Sequence, residues 1–274
     1  MNLQQAKLLL KRELNHQEAV GIITFVTGLD NIGQMINSNK ELTEELCLQI
    51  DEIIKLRQNG YPLQYILGSW SFMGNEFAVG EGVLIPRDDT EVAVNSVLPF
   101  LRSKKNPKVI DLCSGSGIIA ITIKKYFPNA EVHAVELSSP ALIYLEKNIQ
   151  TIASDVKLHR GDVDKIYSEF SDNVFDLIIS NPPYIPSAEL KDLQIEVRSE
   201  PEMALDGGSD GLDFYRSITK NWSSKLKSGG MLAFELGEEQ YEAVCSMMTQ
   251  EGFTNINGYK DLGNTIRAIN AIKR

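Results

Sequence analysis

From Lys108 onward the chain alternates short runs of aliphatic and β-branched residues with longer segments of helical period, and few folds accept that alternation. Lys108 to Leu112, Glu131 to Glu136, Val156 to His159, Phe175 to Ser180 and Gly230 to Leu236 have strand character. Ile118 to Tyr126, Pro140 to Gln150, Phe214 to Leu226 and Glu238 to Gln250 have helical character. Alternating strands and helices predict a mostly parallel sheet covered by helices on both faces. The last two strand-like pieces, Phe253 to Tyr259 and Thr265 to Ala271, are joined by a short link. A link that short predicts an antiparallel pair at the sheet edge.

The N-terminal part has a different texture. Leu3, Ala6, Leu9, Leu10 and Leu14 recur at helical spacing, as do Leu42, Leu46, Ile50, Ile53, Ile54 and Leu56. That period predicts a small helical domain over residues 1–65. Ser38 with Glu41 three residues on reads as a capping box for the second of these helices. Asn59-Gly60-Tyr61-Pro62 ends it. Short aromatic and β-branched pieces around Gly68 and Gly74 predict a linking β-hairpin over 66–85, and residues 86–274 are left for the α/β domain. Leu84 to Glu91 opens its first helix.

Charge and cysteine content narrow the function classes. The 274 residues carry a net charge of −10 and no basic run. Phosphate backbones are held by Lys and Arg, so direct nucleic-acid binding is not expected. Three scattered cysteines and three scattered histidines offer neither a disulfide framework nor metal-ligand spacing, so no metal is assigned. No apolar run is long enough to span a membrane, and the N-terminus lacks the apolar core of a signal peptide. A reducing cytoplasm and a monomeric chain are expected.

The first α/β strand ends in Asp111-Leu-Cys113-Ser114-Gly115-Ser116-Gly117. Glycines at a strand-to-helix turn let the backbone pass close to a ligand, and the loop falls at the carboxyl end of a strand, where open α/β sheets bind. The loop alone leaves a dinucleotide possible. Asp111 tips the balance, because a carboxylate there repels a pyrophosphate but suits the cationic sulfonium and ammonium of S-adenosylmethionine. Glu136, at the next strand tip, is placed to accept from ribose hydroxyls. Asp162, at the third, can accept an adenine amino group, with Val163 packing on the ring.

The most specific feature follows the fourth strand: Asn181-Pro182-Pro183-Tyr184. Neither proline has an N–H, so the ladder stops and the loop is stiffened. The Asn181 side-chain oxygen and the Pro182 carbonyl can accept the two hydrogens of a planar NH2. Tyr184 can pack on its face. An amide nitrogen is a poor nucleophile, and two acceptors raise its electron density while fixing its direction, so positioning and electrostatics carry the catalysis.

With these blocks in view, the chain resembles the class I, Rossmann-like methyltransferases with an Asn-Pro-Pro-Tyr motif. Among them it is similar to the protein-(glutamine-N5) methyltransferases of peptide chain release factors. The likeness runs through Gln64 to Gly68, Phe72 to Phe77, Leu84 to Glu91, Asp111 to Gly117, Asn181 to Tyr184, and Glu196 to Leu212, with Ser114 standing where Thr is expected. It implies that Cys113 to Gly117, Glu136, Asp162, Val163 and Asn181 hold S-adenosylmethionine. It also implies that Asn181 to Tyr184 hold the substrate glutamine, that the helical domain helps dock the release factor, and that Arg87 lies near the mouth of the site. Two rivals share the tetrapeptide: an adenine-N6 methyltransferase of DNA or RNA, which calls for a basic cleft, and a glutamine methyltransferase of a ribosomal protein. A third, a non-catalytic nucleotide-binding module, has no use for it.

Overall fold

The protein is described by a computed structural model over residues 1–153 and 155–274, which divides into two compact units. The first comprises Met1–Ser69 with Gln194–Ser199, and the second Trp70–Leu193 with Glu200–Arg274.

The first unit is built from α1 (Leu3–Glu13), α2 (His16–Thr27), α3 (Asn31–Ile36), α4 (Glu44–Gln58) and α5 (Leu63–Leu67). Their apolar stripes meet in one core, with Leu3, Ala6, Leu10, Ile22, Ile23, Ile50 and Ile53 buried together. The capping box sits elsewhere than Ser38: Asn2 and Gln5 cap α1 reciprocally, and α4 is capped by Thr43, whose hydroxyl accepts from Leu46 N. Ser38 instead offers its backbone carbonyl to Gln4 N. Arg57 of α4, with its side chain only 7% exposed, pairs with Glu18 of α2 and with Glu196, which ties the 194–199 segment to these helices.

The predicted hairpin is shorter than 66–85. Residues up to Leu67 are helical, and the strands are β1 (Ser69–Phe72) and β2 (Asn75–Ala78). Met73 and Gly74, both at positive φ, make the two-residue turn whose twist suits a hairpin.

In the second unit α6 (Asp88–Arg102) precedes β3 (Lys108–Leu112), α7 (Ile118–Tyr126), β4 (Glu131–Glu136), α8 (Ser139–Ile152) and β5 (Lys157–Arg160). Then come the single-turn α9 (Val163–Ile166), β6 (Phe175–Ser180), α10 (Asp213–Trp222), β7 (Leu226–Glu235), α11 (Tyr241–Gln250), β8 (Phe253–Lys260) and β9 (Ile266–Lys273). The seven strands lie in the order β5-β4-β3-β6-β7-β9-β8, parallel except where β9 runs between β7 and β8. Both sheet faces are covered. Val109, Val132, Leu177 and Ile179 pack under α6, α7 and α8, while Ile110, Leu112, Ile178 and Leu232 pack under α9, α10 and α11. The order reverses between β3 and β6, so the loops at their carboxyl ends diverge and open a crevice.

At the opposite, β5 side of the sheet, His133 and His159 stack with ring planes 7° apart and share a 2.8 Å hydrogen bond, flanked by Phe170. Burial pushes both imidazoles below their ordinary range, His133 to about 4. The unfolded chain therefore binds protons that the folded chain refuses between pH about 6.5 and about 4, and stability falls as pH drops through that window. Urea midpoints measured from pH 7 to 4.5 should fall by the equivalent of about 2 kcal/mol, and the fall should shrink in His133→Gln. An identical fall in that variant would remove the histidines as its cause.

Candidate active site

The site lies at the carboxyl edge of the sheet, wholly within the second unit. Its walls include Val83, Leu84, Ile85, Thr90, Cys113 to Ser116, Glu136 to Ser138, Gly161 to Val163, Asn181, Pro183 and Phe214.

The loop after β3 is shaped by left-handed backbone at Cys113, Gly115 and Gly117. At Gly117 a side chain is excluded on two counts: φ is +86°, and a Cβ would stand 2.5 Å from Leu145 Cδ1. The Ser114 hydroxyl donates to the Asp111 carbonyl at 3.0 Å. Asn148 of α8 donates to the Ser116 carbonyl and also exchanges hydrogen bonds with both backbone groups of Ala78, so the hairpin and the loop share one clamp.

Glu136 organises the loop from the neighbouring strand. Its Oε2 accepts from Gly115 N at 2.7 Å, and its Oε1 from Leu137 N and Ser138 N. Burial raises its pKa and the three amides lower it. The carboxylate therefore holds two strand-tip loops together, and it lies in the wall where sequence reasoning put it. Asp162 caps α9 through Asp164 N and pairs with Lys165 at 2.8 Å, beside buried Val163.

Asp111 does not line the cavity. Strand alternation turns its side chain to the α7 face, where Oδ2 accepts from Ala120 N at 3.2 Å and Oδ1 has no hydrogen-bond partner. Burial pushes its carboxyl up to about 8. A buried carboxylate without a counter-ion favours cationic company nearby.

After β6, Ser180 Oγ donates to the Leu112 carbonyl at 2.6 Å and locks the two strands at the point of reversal. Asn181 Nδ2 donates to Thr90 Oγ1 at 3.3 Å. Among the described residues neither Asn181 Oδ1 nor the Pro182 carbonyl receives a hydrogen bond, so both stay available as acceptors. Pro182 and Pro183 are buried, with only Pro183 in the wall. The Tyr184 phenol donates to Glu235 Oε1 at 3.3 Å, and its carbonyl accepts from Gln240 Nε2 at 2.8 Å. Gly207 lies so close that a Cβ there would be 2.7 Å from Tyr184 Cα. Arg87 is not in the wall either. It pairs with Glu200, a buried carboxylate that also accepts from Ile85 N, rather than with Asp88 or Glu91.

Sequence reasoning missed Thr90, Phe214, Asn148 and Glu235. Glu235 ends β7 as Glu136 ends β4, so the same rule of a carboxylate at a strand tip reaches it. Asn148 and Phe214 carry no local signal, because each acts through an element distant in sequence. The residues that could hold S-adenosylmethionine fit it: a glycine loop open to close backbone approach, a carboxylate at the second strand tip, and apolar Ile85, Val163 and Phe214 for a flat ring.

A family model for a methyltransferase small domain matches residues 85–198, and one for a PrmC N-terminal domain matches residues 2–68. A release factor glutamine methyltransferase from Geobacter sulfurreducens is 42% identical over 237 residues, 86% of this chain and 82% of its own. Another, from Clostridium acetobutylicum, is 36% identical over 255 residues, 92% of this chain and 89% of its own. Among solved structures, a methyltransferase from Pyrococcus furiosus shares the fold with a TM-score of 0.53 at 16% identity, over 81% of this chain and 98% of that one.

Glu136→Gln replaces one of two accepting oxygens by a donor, so at least one backbone amide loses its partner. Thermal or urea unfolding should show a loss of about 2 kcal/mol, with weaker S-adenosylmethionine binding in calorimetry. Unchanged stability and affinity would deny the carboxylate its organising role.

Proposed function

The chain belongs to the release factor glutamine methyltransferase family, and from that premise we propose that it methylates the side-chain amide N5 of the glutamine in the Gly-Gly-Gln motif of peptide chain release factors. S-adenosylmethionine is the cofactor, and when bound it supplies an electrophilic methyl group. The observation that carries the reading is the pair of unengaged acceptors, Asn181 Oδ1 and the Pro182 carbonyl, on consecutive residues of a loop stiffened by two prolines. Two acceptors match the two hydrogens of a primary amide. They turn the nitrogen lone pair away from themselves, and the methyl donor belongs on that side.

In this assignment Cys113, Ser114, Gly115, Ser116, Glu136, Asp162, Val163 and Asn181 hold the cofactor. Asp111 and Gly117 support the loop from behind. Pro183 and Tyr184 shape the glutamine pocket, and Arg87 steadies its rim through Glu200. Desolvation by burial holds the Tyr184 phenol protonated, so it acts as a donor and a packing face rather than as a base. No strong base is needed, since the proton can leave nitrogen after methyl transfer.

The helical unit is assigned to docking. Ile32, Met35 and Ile36 of α3 are exposed, an apolar cluster suited to a protein partner. Among the described residues no helix is long and apolar enough to cross a membrane. The proposal takes the protein as a monomer working in the cytoplasm beside the translation machinery.

Labelled S-adenosylmethionine should be offered with three acceptors: an unmodified release factor, ribosomal proteins and unmethylated DNA. Mass spectrometry should find the methyl on the release-factor glutamine, with the rate lowered about 100-fold or more in Asn181→Ala. A methyl on a ribosomal protein or on DNA adenine would keep the tetrapeptide chemistry and replace the substrate.

A further inference from the structure

Glu235 is a buried carboxylate, 1% exposed, that no part of the cofactor or glutamine pocket uses directly. It sits at the end of β7, one strand over from the tetrapeptide. Oε1 accepts from the Tyr184 phenol. Oε2 makes no hydrogen bond of ordinary geometry, and the other hydroxyl that acts on the carboxylate is Thr90, itself fully buried. Thr90 Oγ1 in turn faces Asn181 Nδ2. Tyr184, Glu235, Thr90 and Asn181 thus follow one another in a line whose two middle members, Glu235 and Thr90, are buried. A structural carboxylate in this place would be expected to sit in an ion pair. Arg267, the cation that acts on the carboxylate, is already shared between Asp89 and Asp261 at 3.3 Å each.

The chemistry of the line depends on its direction. A threonine hydroxyl has one hydrogen, and its oxygen accepts whatever it does not donate. An asparagine amide can face it with either end. An ionised carboxylate is an acceptor only. When Glu235 takes the Thr90 hydrogen, Thr90 can only accept, so Asn181 must present Nδ2 to it and Oδ1 to the pocket. A donor in place of Glu235 releases this constraint: Thr90 can then donate to Asn181 Oδ1, and the amide turns its NH2 towards the substrate.

We propose that Glu235 is a positioning residue that, through Thr90, sets the polarity of the Asn181 amide so that its oxygen faces the substrate nitrogen. This rests on the assignment of Asn181 Oδ1 as an acceptor of the substrate amide. Glu235 touches neither substrate nor cofactor, and it abstracts no proton.

The pH dependence follows from the groups around the carboxylate. Burial pushes Glu235 up to about 7, Asp89 adds to the rise, and Thr90, Tyr184 and Arg267 oppose it. Tyr215 packs alongside, donating to the Glu235 backbone carbonyl at 2.9 Å. Below about pH 7 the protonated carboxyl becomes a donor, so the wild-type kcat should fall on the acid side.

The test uses the full-length enzyme with an unmodified release factor. In Glu235→Leu, which leaves Thr90 no acceptor at this place, kcat should drop about 10-fold or more, with KM for the release factor and S-adenosylmethionine affinity within twofold of wild type, and the acid limb should flatten. Thr90→Val, which cuts the line at its middle, should give the same kcat loss, Thr90→Ser should restore most of it, and Glu235→Leu added to Thr90→Val should cost nothing more. Glu235→Leu with wild-type kcat and an unchanged acid limb, while Asn181→Ala stays inactive, overturns the proposal and leaves the methyltransferase reading intact. Additive losses from the two sites overturn it as well. Should Glu235→Leu not fold, the Thr90 pair decides: wild-type kcat in a folded Thr90→Val removes the relay. An inactive wild type would instead strike at the substrate assignment itself.

Discussion

The upper end of this sheet is governed by the cost of burying carboxylates. Asp111, Glu136 and Glu235 are each under a tenth exposed, and none has a lysine or arginine to itself. Removing a carboxylate from water is expensive unless hydrogen bonds or a charge replace the lost hydration. The three meet that cost differently. Glu136 is satisfied by three backbone amides, so its charge is spent on shaping two loops. Asp111 Oδ1 has no hydrogen-bond partner and Glu235 Oε2 none of ordinary geometry, and burial pushes the two carboxyls up to about 8 and about 7. Such groups are kept where stability alone would favour apolar residues. One lies behind the cofactor loop and the other behind the tetrapeptide, so the two unresolved charges flank the two halves of the reaction.

The order reversal between β3 and β6 turns this into a site. Parallel strands send the loops that follow them to the same edge, and the reversal spreads the loops after β3 and β6 apart. The Ser180–Leu112 bond pins the strands immediately below the opening. Everything above it is backbone under restraint: left-handed residues after β3 and two prolines after β6. Rigidity there has a chemical purpose, since acceptors that must meet two particular hydrogens gain nothing from freedom.

Local features were legible in the sequence and non-local ones were not. The strand-helix alternation gives the parallel sheet and the terminal antiparallel pair, because side-chain period is a property of neighbours along the chain. The glycine loop, Glu136 and the tetrapeptide fall at strand tips for the same reason. Ser38 failed as a cap because Thr43, five residues on, stands directly before the helix and reaches Leu46 N. The hairpin was drawn too long because Leu63 to Leu67 makes only one helical turn, too short for a period to show. The Asp111 side chain faces α7 rather than the cavity because alternation along β3 decides it, and a strand of five residues hides which face is which. Arg87 found Glu200 across 113 residues, a partner no spacing rule reaches.

The tetrapeptide is less self-sufficient than its compactness suggests. Asn181 offers an oxygen and an NH2 of nearly the same shape, and only the oxygen serves an amide substrate. Prolines fix where the side chain is, not which end of it faces the pocket. Something outside the motif must break that symmetry, and a neutral hydroxyl cannot, because Thr90 can donate or accept equally well. An acceptor-only group beyond the hydroxyl can. The buried carboxylate at the end of β7 is that group in position, and because Arg267 is taken up by Asp89 and Asp261 its lone pairs stay free for the task. On this view the motif and the strand next to it form one catalytic unit, and the stability cost of burying Glu235 has a chemical return.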